Sequence, residues 1–297
     1  MELLKEILPQ DCVAENENMS KHVSFRTGGA AKVFVTPRNS GDIKEIISAL
    51  QSAGEEYTVI GKGSNLLVSD LGYDGVIICI GKNMSDIQTD GCRITAQSGA
   101  LLSAVAMTAL KNSLTGFEFA SGIPGSLGGA IVMNAGAYGG EMKDVVVSTE
   151  YISPDGNIRT VSGNRHGFGY RQSMFGKDDI VLSSVIELSR GDKVQIRDKM
   201  RELNGRRREK QPLEYPSAGS TFKRPQGYFA AKLIDDAGLR GYRLGGAAVS
   251  DKHCGFIINR DNATSSDIYN LMKHVQKTVS DKFKVALEPE VRMIGVF

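Results

Sequence analysis

The sequence predicts an α+β fold organised in two or three lobes. Its 297 residues reach the length, about 250–300 residues, at which a single hydrophobic core stops growing. Between residues 75 and 190, short strand-like runs outnumber helical patterns, which favours α+β over a regular alternation of strands and helices. Beyond Pro212 the chain becomes rich in proline and glycine, which is typical of a domain junction.

Composition and charge exclude several classes of protein. The chain is 41% hydrophobic and 24% charged, as soluble globular proteins are, and its net charge of +2 argues against a general nucleic-acid binder. No apolar stretch approaches the roughly 20 residues that span a bilayer, and the amphipathic N-terminus is unlike a signal peptide. The cysteines are scattered without ligand spacing: Cys12, Cys79, Cys92 and Cys254. We therefore expect a cytoplasmic protein with reduced thiols and no metal site.

The N-terminal part predicts a β-α-β unit. A strand at 32–37 precedes a helix that Ser40 caps and Gly54 closes, and Tyr57–Ile60 forms the next strand. The turn Gly61-Lys-Gly-Ser-Asn-Leu66 follows this strand at once. It indicates a ligand loop, although it lacks the full glycine spacing and the helix of a dinucleotide-binding fingerprint.

The rest of the chain combines short strands with a few helices. Thr264 and Asp267 form a capping box for a long amphipathic helix that ends near Phe283. A hairpin turn is predicted at Ser153–Asn157. Further strands are predicted at 75–80, 92–97, 145–152, 158–161, 180–188, 255–259 and 287–295, and further helices at 101–112, 194–210 and 229–237.

One segment has the composition of a ligand-binding loop: Ser121-Gly-Ile-Pro-Gly-Ser-Leu-Gly-Gly-Ala-Ile-Val-Met-Asn-Ala-Gly-Ala-Tyr-Gly139. Each glycine costs backbone entropy, so this density indicates positive φ angles or the close approach of another molecule. Consecutive amides in such a loop form a concavity that suits phosphate oxygens. We predict a diphosphate-bearing ligand here, and a plain glycine-rich turn is the alternative.

Seven stretches form an ordered series that spans nearly the whole chain. They are Arg26-Thr-Gly-Gly-Ala30, Gly61-Lys-Gly-Ser-Asn-Leu-Leu67, Ser121-Gly-Ile-Pro-Gly-Ser-Leu-Gly-Gly129, Asn134-Ala-Gly-Ala-Tyr-Gly139, Tyr170-Arg-Gln-Ser-Met-Phe175, Ala218-Gly-Ser-Thr-Phe-Lys223 and Leu287-Glu-Pro-Glu-Val-Arg292. In this order they resemble the UDP-N-acetylenolpyruvoylglucosamine reductases, flavoenzymes of bacterial peptidoglycan precursor synthesis. Only Gly176–Asp179 separates the fifth stretch from the next strand, so the chain resembles the shorter subtype, which lacks a tyrosine-bearing insertion.

The resemblance implies an FAD-binding fold of the vanillyl-alcohol-oxidase type. Residues 1–78 with 283–297 and residues 79–205 would form two lobes that clasp non-covalently bound FAD, and residues 206–282 a third lobe over the substrate. The implied FAD contacts are Gly61, Lys62, Gly63, Ser64, Asn65 and Leu66 in one loop and Gly122, Ile123, Pro124, Gly125, Ser126, Gly128, Gly129, Asn134, Ala135 and Gly136 in the other.

The resemblance also implies a reaction. NADPH reduces FAD, and flavin N5 passes hydride to the enolpyruvyl group of UDP-N-acetylglucosamine enolpyruvate, giving UDP-N-acetylmuramate. Ser220 resembles the family's proton donor, Arg171 would pair with the substrate carboxylate, and Glu290 would lie on the other side of that carboxylate. The residues by themselves leave a turn serine and a surface salt bridge as alternatives for Ser220 and Arg171. Glu288 shares the strand face of Glu290.

The sequence constrains the UDP contacts less. Lys210 and Arg224 are candidates for the diphosphate, although Arg224 departs from the asparagine of the longer subtype. Tyr170 and His253 are further candidates for substrate contacts, with a packed tyrosine and a structural histidine as the alternatives. The basic run Arg206–Lys210 is also explained as a solvated helix end.

Two other functions compete with the reductase. An oxidase of the same superfamily would not need Ser220, Arg171 and Glu290 together. A nucleotide-sugar-binding or RNA-binding protein without catalysis would use the basic run but would leave both glycine-rich loops unexplained. We therefore expect a monomeric reductase whose partners are NADPH and the UDP-sugar, with no nucleic-acid and no membrane partner.

Overall fold

The computed structural model describes residues 2–297, and within that range the chain mixes seven α-helices with eighteen β-strands. The helices are α1 (Glu2–Ile7), α2 (Ser40–Ala53), α3 (Leu102–Lys111), α4 (Leu127–Val132), α5 (Lys193–Lys210), α6 (Ala230–Asp236) and α7 (Ser265–Phe283). The first nine strands are β1 (Val13–Asn18), β2 (Ala30–Val35), β3 (Tyr57–Ile60), β4 (Leu66–Val68), β5 (Tyr73–Cys79), β6 (Ile87–Asp90), β7 (Arg93–Gln97), β8 (Leu114–Thr115) and β9 (Gly136–Ala137). The others are β10 (Gly140–Glu141), β11 (Val146–Ile152), β12 (Ile158–Ser162), β13 (Ile180–Glu187), β14 (Ser189–Arg190), β15 (Arg243–Leu244), β16 (Ala247–Val249), β17 (Ile257–Asn259) and β18 (Arg292–Ile294).

The chain divides into two compact units. The first contains Met1–Glu15, Val33–Lys62 and Gly75–Arg207, and the second contains Asn16–Lys32, Gly63–Asp74 and Arg208–Phe297. The division into three lobes stays a prediction.

A four-stranded sheet has the strand order β1-β2-β5-β3, in which β3 and β5 are parallel. Helix α2 buries the predicted apolar face, which includes Ile43, Ile46 and Leu50, in the core of this region. The predicted cap is one residue out of register, because the side chain of Asn39, not Ser40, accepts the Asp42 amide at 3.0 Å. Both residue types cap helices well, so the local pattern does not separate them.

The first unit also contains a five-stranded antiparallel sheet in the order β12-β11-β13-β7-β6. Helices α3 and α4 pack on it through buried residues such as Leu102, Val105 and Leu127. The predicted hairpin turn between β11 and β12 is confirmed, since the Ser153 amide donates to the Asn157 carbonyl at 3.0 Å. The loop predicted to hold a ligand leads into α4 on this sheet.

The second unit is built on a three-stranded sheet, β15-β16-β17, covered by α6 and α7. The capping box of Thr264 and Asp267 is confirmed at the start of α7. Strand β18 pairs in parallel with β4. The predicted strand over 287–295 is wrong in its first half, because Pro289 lacks an amide hydrogen and forms only one bridge, to Phe222.

Two kinds of feature are absent from residues 2–297, a membrane-spanning helix and a metal-binding cluster. No helix there is long and apolar enough to cross a membrane. That same range contains no group of three His, Cys, Asp or Glu residues arranged to hold a metal ion. All four cysteines are free, and burial raises the pKa of the Cys79 thiol to about 11, which makes it a poor nucleophile at neutral pH.

Candidate active site

Two glycines of the predicted ligand loops are required by packing inside the first unit. A Cβ added to Gly61 would overlap the hydroxyl of Ser126. A Cβ added to Gly128 would lie 2.7 Å from the Cβ of Ser98, and both serines are buried. Gly61 therefore lies directly against the Ser121–Gly139 loop.

Gly129 is different, because the protein itself does not require a glycine there. It is an exposed residue of α4, its φ is outside the left-handed region, and no heavy atom lies within 4 Å of an added Cβ. A glycine within a helix costs about 0.5–1 kcal/mol relative to alanine. The close approach of a bound molecule would explain why this cost is tolerated.

Two buried side-chain atoms beside the same loop have no hydrogen-bond partner among residues 2–297. They are the hydroxyl of Ser98 and Nε of Arg207. Burial lowers the pKa of the Arg207 guanidinium, and its Nη1 donates to the Gly122 carbonyl at 2.5 Å. Since buried polar atoms are nearly always paired, this combination fits a ligand with many acceptor oxygens, as FAD has.

The loop Gly61–Leu66 offers a run of main-chain donors. In the described part of the chain, the amides of Lys62, Gly63, Ser64 and Asn65 donate to no protein acceptor. Gly63 has φ +66° and lies against the carbonyl of His22, so a larger residue would be strained there. Successive unpaired amides are the donors that phosphate oxygens need.

In the second unit, Ser220 and Glu290 lie on neighbouring segments. The Glu290 amide donates to the carbonyl of Thr221, the residue after Ser220, at 2.8 Å. Asn65 joins the same group, because its Nδ2 donates to the Glu290 carbonyl at 3.0 Å. Residues from three distant stretches of the sequence therefore come together.

Ser220 is exposed, and its hydroxyl makes no hydrogen bond within residues 2–297. The residues on both sides hold its backbone in place. Gly219 has φ +78°, and the hydroxyl of the fully buried Thr221 accepts the Ile257 amide at 2.9 Å. A serine that only stabilises its own turn would bond to the backbone, so the geometry does not support that alternative.

His253 is linked to this segment through Gly255. The Thr221 amide donates to the Gly255 carbonyl at 2.8 Å, and the Gly255 amide donates to Nδ1 of His253 at 3.1 Å. An Nδ1 that accepts a hydrogen bond is unprotonated, so Nε2 carries the hydrogen. Burial lowers the pKa of His253, which keeps the ring neutral at pH 7.

The structure separates the two glutamates that the sequence left equivalent. Glu288 is exposed, and its Oε1 lies 2.5 Å from Nζ of Lys223 in a surface ion pair. Glu290 is half-buried beside the Ser220 segment. This difference agrees with the assignment of Glu290 by its motif.

Arg171 lies at the tip of a tight hairpin in the first unit. Gly169 and Gln172 exchange backbone hydrogen bonds at 3.0 and 3.3 Å, and Arg171 has φ +56° between them. The left-handed conformation costs a non-glycine residue about 1–2 kcal/mol, so contacts around the hairpin must hold it. The guanidinium of the half-buried Arg171 lies 5.1 Å from the ring centroid of Tyr170, which is exposed.

The candidates for UDP lie on the surface of the second unit. Lys210 is exposed at the end of α5 and forms no ion pair with a described residue. The guanidinium of Arg224 lies 4.2 Å from the ring centroid of Phe229, and both side chains are exposed. Two exposed cationic side chains are compatible with anion binding.

Arg207 is a site residue that was not predicted, because the basic run Arg206–Lys210 was interpreted as a solvated helix end, whereas Arg207 is buried. Ile196, Met200 and Leu203 form the buried face of α5, and Arg207 continues that face at helical spacing. Arg206, one residue earlier, instead pairs with Glu202 on the surface. The spacing is visible in the sequence and was the signal for an inward-facing arginine.

The fold and the glycine-lined loops indicate a flavin-binding protein. Residues 31–162 match the family model described as an FAD binding domain. The structure of p-cresol methylhydroxylase superposes with a TM-score of 0.50 at 15% identity, covering 64% of this chain and 42% of that chain, a likeness that concerns the fold. The protein is therefore of the FAD-binding class with a vanillyl-alcohol-oxidase-type fold, as predicted.

Residues 211–294 match the model for the C-terminal domain of UDP-N-acetylenolpyruvoylglucosamine reductase. Enzymes of that name from Caldanaerobacter subterraneus subsp. tengcongensis and Agathobacter rectalis are each 51% identical to the chain, over 98% of it and 97% of each relative. The chain belongs to the UDP-N-acetylenolpyruvoylglucosamine reductase family, which confirms the predicted family. The crystal structure of the Thermus caldophilus enzyme superposes with a TM-score of 0.83 at 31% identity, covering 95% of this chain and 98% of that one.

Proposed function

We propose that the protein catalyses the NADPH-dependent, FAD-mediated reduction of UDP-N-acetylglucosamine enolpyruvate to UDP-N-acetylmuramate in peptidoglycan precursor synthesis. Family membership and the FAD-binding domain support this proposal. The loops Gly61–Leu66 and Gly122–Gly136 would hold FAD non-covalently, and the bound cofactor would supply the hydride, taken from NADPH, that the terminal enolpyruvyl carbon needs. The chain's own side chains bind the substrate and move the proton.

Arg171 is the proposed partner of the substrate carboxylate. Addition of hydride at the terminal carbon places negative charge on the carbon that bears the carboxylate. A preorganised guanidinium stabilises that charge, and the loss of a comparable donor costs about 3 kcal/mol of transition-state stabilisation. The position of the half-buried Arg171 at the hairpin tip, with its backbone at a positive φ, supports this role.

Ser220 is the proposed proton donor. Its hydroxyl transfers a proton to the charged carbon next to the carboxylate, and water then returns a proton to the serine oxygen. A serine is a weak acid, so this step requires a very basic intermediate and a hydroxyl that is held in place. The proposal rests mainly on one observation: the exposed Ser220 hydroxyl has no hydrogen-bond partner within residues 2–297 and lies on a segment whose backbone is bonded to Glu290.

The remaining assignments concern substrate orientation. Glu290 lies beside Ser220 on the bonded segment and is proposed to orient the substrate carboxylate. A neutral His253 can donate a hydrogen bond through Nε2 to a sugar oxygen. Lys210 and Arg224 are the proposed contacts to the UDP group, and Tyr170 is proposed to line the substrate pocket. The protein is proposed to act as a cytoplasmic monomer, and its four free cysteines agree with a reducing compartment.

The experiment that tests this function separates the two half-reactions by stopped-flow absorbance of the flavin. In Ser220→Ala, reduction by NADPH should keep its wild-type rate, whereas reoxidation by the enolpyruvyl sugar should slow by about 10²–10⁴-fold. Ser217→Ala, in the same segment, is the matched control and should behave as wild type. Equal losses in both half-reactions of Ser220→Ala would reject its role as proton donor. A folded wild-type protein that takes up no FAD would reject the proposed function.

A further inference from the structure

Asn134 is fully buried in the first unit, and its side chain makes three hydrogen bonds. Its Nδ2 donates to Oε2 of Glu141 at 2.8 Å and to the Gly169 carbonyl at 2.9 Å. Its Oδ1 accepts the Lys143 amide at 2.9 Å. A carboxamide has two donor hydrogens, so protein acceptors use both of them. No donor of this side chain is left for a cofactor.

The bond to Gly169 connects Asn134 to the hairpin that carries Arg171. Gly169 is the first residue of that hairpin, and its carbonyl also accepts the Gln172 amide. A second bond anchors the other end, because the Ser173 hydroxyl donates to the Val132 carbonyl at 2.7 Å. Both ends of the hairpin are therefore tied to the Ser121–Gly139 loop. Arg171, with φ +56°, lies between these two attachment points.

Glu141 adds a fixed charge to the same network. Its carboxylate lies 3.0 Å from Nζ of Lys143. The hydrogen bond to Lys143 lowers the pKa of Glu141 despite its partial burial, and the Asn134 amide and the charge of Arg171 act in the same direction. Glu141 is therefore ionised at neutral pH, and its negative charge attracts the positive charge of Arg171. Asn134 is hydrogen-bonded to both Glu141 and the Arg171 hairpin.

We propose that Asn134 is a positioning residue that orients the Arg171 hairpin toward the substrate carboxylate, and that its side chain does not contact FAD. The inference rests on the proposed role of Arg171. Asn134 also has φ +42°, a conformation that asparagine tolerates better than most residues. Asparagine thus tolerates the positive φ of the local backbone and also donates a hydrogen bond to the distant carbonyl of Gly169.

The test uses Asn134→Gly, which removes the three side-chain bonds without straining the positive φ. Asn262→Gly is the matched control, because Asn262 also has a positive φ, +49°, and is exposed. Wild-type enzyme is first shown to reduce the enolpyruvyl sugar, since failure at that stage would concern the proposed function and not this inference. The measurements are FAD content, the rate of reduction by NADPH, the Kd of the enolpyruvyl sugar by calorimetry, and the reoxidation rate.

We expect Asn134→Gly to retain its FAD and its rate of reduction by NADPH. The Kd of the enolpyruvyl sugar should rise, and reoxidation should slow, by about 10–100-fold, because small misplacements of a binding group have effects of this size. In an Arg171→Met background, Asn134→Gly should change the Kd no further, since the two residues act through one contact. Asn262→Gly should match wild type.

Three results would overturn the inference. Loss of FAD together with equal losses in both half-reactions would make Asn134 a cofactor ligand. A wild-type Kd for Asn134→Gly would show that the hairpin does not need it. If Asn134→Gly raised the Kd further in the Arg171→Met background, Asn134 and Arg171 would act independently of each other. Should Asn134→Gly fail to fold, Ser173→Ala removes the second tie and should raise the same Kd without loss of FAD, and an unchanged Kd there counts against the inference.

Discussion

Replacement of Gly129 by alanine should stabilise the FAD-free protein and weaken FAD binding. The added methyl group meets no protein atom within 4 Å. Alanine is favoured over glycine in a helix by about 0.5–1 kcal/mol, which raises Tm of the FAD-free protein by roughly 2 °C. In the proposed complex the same methyl group would overpack against FAD, which costs typically 1–3 kcal/mol. The affinity for FAD should therefore fall by about tenfold, equivalent to about 1.4 kcal/mol.

The assay combines thermal unfolding of the FAD-free protein with titration of FAD by fluorescence quenching. Gly205→Ala is the control, because Gly205 is also helical and a Cβ there also meets no atom. It is two residues away from buried Leu203 and from Arg207, so it lies about 200° around the helix from each of them. This variant should gain similar stability and bind FAD as wild type does. A stabilised Gly129→Ala with unchanged FAD affinity would show that the cofactor does not approach α4.

Two further predictions concern stability. The carboxylate of Asp70 accepts the amides of Ser265 and Ser266 at 2.8 Å each, so Asp70→Ala should lower the free energy of unfolding by about 1–2 kcal/mol in urea titrations. Asp74→Ala is the control and should change the free energy of unfolding by less than about 0.5 kcal/mol, since the Asp74 side chain is 94% exposed. Equal losses in Asp70→Ala and Asp74→Ala would contradict the capping role of Asp70. Burial lowers the folded-state pKa of His253 below its ordinary 6.5, so the unfolded state binds a proton more readily than the folded state. The contribution of neutral His253 to the free energy of unfolding is therefore complete above pH 6.5. It is lost as the pH falls toward the lowered folded-state pKa. Urea unfolding at pH 7.5 and 5.5 should therefore show a smaller decrease for His253→Gln than for wild type, and identical decreases would reject the assignment.

Features that depend on neighbouring residues were predictable from the sequence. The apolar period of α2, the capping box of α7 and the hairpin turn at Ser153–Asn157 all follow from local patterns, and the structure has each of them. Errors arose where two local choices were nearly equal. Asn39 and Ser40 are both good caps, and a strand-like pattern extended the last strand across Pro289.

The sequence by itself determined the fold class, the family, and the candidates Arg171, Ser220 and Glu290, because spacing and motif order record them directly. Only the tertiary structure decided which partners the side chains near these candidates have. It paired Glu288 with Lys223 and committed both donors of Asn134 to protein acceptors. These outcomes depend on contacts between segments far apart in the chain. No periodicity in a single sequence encodes such contacts, because they form only when sheets, helices and loops pack together.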